Sequence, residues 1–196
     1  MLPIFFQLGF NHLMEVGAFD HQLFLATLAL AYSPALWRKW LLLATLFAIG
    51  HSAAILAMTL DWLPNGMGWV EPAILLSIIA MALLEFVALR QNPLNLPGTI
   101  WPALTLAAAL AFGVVHGLGY GSVFVTMMIP DASISTLLTS LLAFTLGIEV
   151  AQFILLAGMW LVAWVVFDLW QWYPLVLRRT LLIAIAAIGL CMLFVR

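Results

Sequence analysis

Apolar residues come in long runs along this chain, and polar ones gather in short breaks between them. The runs Asp20–Leu36, Trp40–Leu60, Glu71–Leu89, Ile100–Met127 and Thr180–Val195, with a longer one inside Ile134–Phe167, read as membrane spans. A helix takes about 20 apolar residues to cross a hydrocarbon core of about 30 Å. The stretch Ile134–Phe167 is too long for one upright helix and must tilt, kink or emerge. Period-two alternation is absent, which argues against a barrel. Turn chemistry marks the breaks: Pro, Asn and Gly in Asp61–Trp69, the loop at 91–98, and Pro130-Asp131. Residues 3–17 are short for a span, and His12 and Glu15 interrupt them. The expected fold is all-α: a polytopic transmembrane helical bundle of about six spans. Residues 1–19 are expected to form an interfacial or re-entrant helix, and 20–196 the bundle, in one domain.

Composition agrees. Of the 196 residues 66% are hydrophobic and 7% charged, against about 25% charged in soluble domains. A net charge of −2 excludes a basic nucleic-acid binder. One cysteine, Cys191, allows no intrachain disulfide. The opening MLPIFFQLGF has no Lys, Arg or small-residue cleavage site, so no removable signal peptide is expected.

Charge sets an orientation. With alternating loops, Arg38, Lys39, Arg90, Arg178 and Arg179 fall on one side, and Asp61 and Asp131 on the other. The basic side is expected to be cytoplasmic and the N-terminus outside, with Arg196 as the exception. Trp37, Trp40, Trp62, Trp69, Trp101, Trp170 and Trp172 stand near span ends and read as aromatic belts.

In so apolar a chain each ionisable group inside a span needs a reason, since one at mid-membrane costs about 2.5–3.5 kcal/mol on insertion scales. His51, His116 and Glu149 lie inside spans, and Asp20 and His21 open one. All fall in the outer half of the bundle, whereas Glu85 lies near an inner end. Glu71 before Pro72 is read as favouring a helix N-terminus through the dipole. A continuous helix would point His12 and His21 to opposite sides, too far apart to share an ion with ligand bonds of about 2 Å. Gly17, beside Ala18, is the expected break that lets His12 fold back toward Asp20 and His21.

Gly113, Gly117 and Gly121 form a small-residue face, as do Ala143, Gly147 and Ala151. These two faces are expected to pack together and to bring His116 near Glu149. The bland alternatives are helix capping for Asp20 and interhelical hydrogen bonding for the histidines and Glu149. Imidazole and carboxylate together suit a borderline divalent ion, Ni, Co or Zn among them.

GFNHLMEVGAFDHQLF, TLFAIGHSAAILAMTL, VEPAILLSIIAMALLE, AFGVVHGLGYG and LLAFTLGIEVAQ, in that order, resemble the HupE/UreJ family. The resemblance covers roughly residues 9–160. It implies a small polytopic protein of a bacterial inner membrane that takes up nickel or cobalt, with His12, Asp20, His21, His51, His116 and Glu149 as the metal residues. The chain departs from the usual pattern in the eight-residue step from His12 to Asp20 and in Thr145 and Ala151. Two other classes stay open: an intramembrane zinc-type metalloenzyme with Glu149 as base or ligand, and a metal-free membrane scaffold.

Overall fold

A computed structural model describes residues 2–32, 36–64, 67–91, 101–129, 132–166 and 174–195. Most of the loop at 91–98, the Pro130-Asp131 turn, Trp170, Trp172 and Arg196 lie outside these residues, as does the side chain of Trp101. The described residues form seven helices and no strand: α1 Leu2–Met14, α2 Phe19–Ala31, α3 Trp37–Thr59, α4 Val70–Gln91, α5 Trp101–Met127, α6 Ile134–Trp164 and α7 Pro174–Val195.

Five of them, α3 to α7, are long and apolar enough to cross a membrane. At 31 residues α6 is one helix of about 46 Å. By contrast α1 and α2 have 13 residues each, about 20 Å. Within the stretch from Asp20 to Leu36, read as one span, α2 ends at Ala31 and Tyr32 is extended, and residues 33–35 lie outside the described ones.

The two short helices lie one after the other beside α6. Gly9 of α1 presses on the Phe144 backbone, and Gly147 of α6 on the backbones of Phe6 and Phe10. Further along, Ala26, Ala29 and Leu30 of α2 share a cavity wall with Ile154, Leu155, Gly158 and Met159 of α6. A side chain on Gly9 or Gly147 would collide with backbone, so this approach depends on the missing Cβ.

The glycine face of α5 meets α3 instead of the expected α6. Gly113 abuts Phe47, Gly117 abuts His51 and Gly121 abuts Met58. Positions rise together on both helices, so α3 and α5 run parallel. The physical reason is reciprocal: α3 carries its own Gly50, packed on the Leu110 backbone, so the two backbones approach from both sides. The small-residue face of α6 is taken by α1.

Trp37, Trp62 and Trp69 are exposed, as belt residues should be. Trp40 is not: it is 1% exposed and packs in the core. At the basic end of the bundle, buried Glu85 accepts a 2.7 Å hydrogen bond from the Thr105 hydroxyl. The Arg178 charge acts on Glu85, and Arg178 Nε donates to the Leu30 carbonyl at 2.7 Å. Arg179 Nη2 donates to the Leu89 carbonyl at 2.8 Å, so these bonds tie α5 to α4 and α7 to both α2 and α4.

Candidate metal centre

The α1–α2 break creates the site. The chain turns through Glu15–Ala18, with Glu15 N–H donating to the Asn11 carbonyl and Ala18 N–H to the Glu15 carbonyl. A broken helix leaves carbonyls without intrahelical donors. The Gln22 amide supplies one, donating to the Glu15 carbonyl at 3.2 Å and the Leu13 carbonyl at 3.5 Å. His12, from the last turn of α1, is thereby brought against His21, from the first turn of α2, with ring centroids 4.6 Å apart.

His51 of α3 completes a trio in which each residue offers a ring nitrogen within 4.8 Å of the others. His116 of α5 joins from below, its ring 5.1 Å from that of His21. His21, His51 and His116 are buried, and His12 is half-buried. Tyr120 lies over His12 at 3.9 Å, and Phe24, Phe47 and Phe144 wall the remaining sides.

Hydrogen bonds orient two of the rings. Asp20 Oδ1 lies 2.9 Å from His21 Nδ1, and His116 Nδ1 lies 2.8 Å from the Phe112 carbonyl. A carbonyl accepts only, so His116 carries its proton on Nδ1 and presents a lone pair at Nε2. The Nε2 atoms of His12, His21, His51 and His116 are all buried without a hydrogen-bond partner, as is Nδ1 of His51. Buried polar atoms are rarely left so. Of these residues, His12, His21 and His51 stand close enough together to hold one metal ion, and carboxylate-to-imidazole orientation such as that of Asp20 on His21 is the usual second layer around such an ion.

Of the expected metal residues, His12, His21, His51 and His116 converge, and Asp20 joins through His21. Glu149 does not. It is half-buried and accepts a 3.4 Å hydrogen bond from the Thr45 hydroxyl. Thr45 precedes His51 by six residues, about 9 Å along α3 toward the basic end. The expected meeting of His116 with Glu149 fails because α5 packs on α3. Sequence reading passed over Ser52 and noted Thr145 only as a departure from the family pattern; their hydroxyls bond at 2.7 Å across α3 and α6 beside His51. Small hydroxyl residues are common in membrane helices and carried no signal.

Fold and site together define a polytopic helical membrane protein with a buried histidine cluster. The chain belongs to the HupE/UreJ family: the family described as HupE / UreJ protein matches residues 2–196. No curated protein and no solved structure matches it significantly.

Proposed function

We propose that this protein is a permease for a divalent transition metal of the nickel/cobalt type. The ion is captured by His12, His21, His51 and His116, with Asp20 holding His21, and passes inward by way of Glu149. The observation that carries the reading is the convergence of His12, His21 and His51, whose ligand atoms lie within 4.8 Å of one another, with His116 against His21 and all four Nε2 atoms buried and unpartnered. Imidazole donors without thiolate suit nickel, cobalt or zinc over soft Cu(I).

Orientation follows from charge: the end carrying Arg38, Lys39, Arg90, Arg178 and Arg179 is cytoplasmic, in a bacterial inner membrane. In this arrangement α1 and α2 act as one discontinuous crossing, with the break beside the ion. Irregular backbone is tolerated at depth where it lines such a cavity.

The metalloenzyme alternative fits less well. It needs an open position on the metal and a carboxylate base beside it. Glu149, the expected base, instead bonds Thr45, which stands about 9 Å down α3 from His51. A metal-free scaffold would leave the four Nε2 atoms without purpose.

The test is elemental analysis of purified protein together with uptake into proteoliposomes. Wild-type protein is expected to hold one ion per chain and to move Ni²⁺ or Co²⁺; His21→Ala is expected to do neither. Protein that moves none of Ni²⁺, Co²⁺, Zn²⁺ or Mn²⁺ ends the permease reading.

A further inference from the structure

An ion held by the histidines needs a way to the basic end of the bundle, and two ways lead there. The central one runs between α2, α3 and α5 and is shut by aromatic rings. Phe24 and Phe47 lie 4.5 Å apart, and Phe24 and Phe112 6.4 Å. Below them the Glu85 carboxylate is already engaged by Thr105 and lies within the influence of the Arg178 charge. A guanidinium at the foot of that way repels a divalent cation.

The second way is the seam between α3 and α6, and polar groups descend it in register. Ser52 bonds Thr145 beside the histidines, and Thr45 bonds Glu149 below. Three residues beyond Glu149, about 4.5 Å down the helix axis, stands Gln152. It is fully buried, and neither its amide oxygen nor its amide nitrogen has a hydrogen-bond partner. Exchanging the two amide atoms changes nothing, since both are unmet. Such a group in an apolar interior calls for water or an ion.

Beneath it, α3 and α6 flank a largely apolar cavity of about 340 Å³, open at its side and lined by Trp37, Trp40, Leu41, Phe153, Leu156 and Trp160. Trp40 lines this cavity too, and its indole N–H is another buried donor without a partner. Among the described residues, the unmet groups of His51, Gln152 and Trp40 thus follow one another on α3 and α6 from the histidines toward the basic end.

We infer that Gln152 and Glu149 form a second, all-oxygen station for a partly hydrated divalent cation, and that the ion leaves the histidines along the α3–α6 seam through the cavity beneath. The inference rests on the permease reading and adds the route. A carboxylate and an amide oxygen are harder and weaker donors for such an ion than four imidazoles. A carrier needs that step, because a site that only binds tightly does not release.

The experiment compares wild type, Gln152→Leu, and Gln152→Cys in a Cys191→Ser background, all reconstituted in liposomes with a chelating dye inside. Gln152→Leu is expected to bind one Co²⁺ per chain with wild-type affinity and to transport it at least tenfold more slowly. The Gln152→Cys thiol is expected to react with a charged methanethiosulfonate applied at the basic end, and Co²⁺ is expected to slow that reaction severalfold. Transport by Gln152→Leu within twofold of wild type overturns the station while leaving the permease intact. If Gln152→Leu fails to fold, the thiol decides: a thiol that stays unreactive while wild type transports places the route elsewhere. A wild type that moves no ion removes the permease reading and the station with it.

Discussion

Asp20 Oδ1 stands 2.9 Å from His21 Nδ1, and the same oxygen accepts the His21 backbone N–H at 2.9 Å. One carboxylate oxygen therefore fixes both the ring and the chain at the first turn of α2. With its proton drawn to Nδ1, the imidazole turns Nε2 toward His12 and His51. Asp20 is partly open, its side chain 26% exposed, so its own charge is tolerated.

Asp20→Ala is accordingly expected to weaken Ni²⁺ or Co²⁺ binding by about 10–100-fold, the usual effect of losing an orienting carboxylate. Asp20→Asn keeps an acceptor but loses the charge and should fall between. Competition with a chromophoric chelator measures both. Wild-type affinity in Asp20→Ala would show that the carboxylate does not orient the ligand.

Gly147 carries α1, and through α1 it carries His12. A Cβ at this position meets the Phe6 carbonyl and the Phe10 backbone, neither of which can turn away. Gly147→Val is expected to destabilise by about 1–3 kcal/mol, as overpacking does, and to lower metal affinity by displacing His12. Gly158, with nothing near its Cβ, is the control. Equal effects of Gly147→Val and Gly158→Val on thermal unfolding and binding would sink the argument.

Orientation has a direct check. Arg38 is exposed at the start of α3, at the basic end. Arg38→Cys with Cys191→Ser should resist an impermeant maleimide applied outside intact cells and react once the cells are opened. Labelling in intact cells would reverse the topology.

Much of this was legible in the sequence, and the residues show why. Helices follow from the long apolar runs, and the convergence of the histidines follows from the cost of burying each alone. Gly17 beside Ala18 marked the break that folds His12 back on His21. Which helix faces which was not legible. Gly113, Gly117 and Gly121 announce a close approach but not a partner, because α3 and α6 both offer small residues. A helix apolar on every side gives little periodicity from which to choose its buried face. Trp40 and Gln152 were passed over for the same reason: a span-end Trp reads as a belt, and a lone Gln as an interhelical hydrogen bond.

The basic end depends on Arg178. Its guanidinium is the charge that acts on buried Glu85, and it also caps the Leu30 carbonyl at the end of α2. Both groups are buried and act on each other by charge without a direct ion pair, so leaving either charge alone in the interior is costly, whereas neutralising both is less so. Arg178→Met should therefore unfold well below wild type in detergent, and Arg178→Met with Glu85→Gln should recover most of the loss. Additive losses in the double variant would show that the two residues are not coupled.

Glu149 separates the classes of function. It accepts a 3.4 Å hydrogen bond from Thr45, which stands about 9 Å along α3 from His51. A carboxylate there does not help to hold the first ion, yet it lies on the seam below it. In a permease it takes the ion over, so Glu149→Gln should leave binding at the histidines within about twofold of wild type and reduce uptake by at least tenfold, a barrier increase of about 1.4 kcal/mol or more. In a metalloenzyme its loss would abolish turnover without any transport to lose. In a scaffold Gln would keep the Thr45 hydrogen bond, and neither binding nor uptake would change. Co²⁺ titration and proteoliposome uptake on the same preparation distinguish the three. Uptake by Glu149→Gln at the wild-type rate would remove Glu149 from the path of the ion.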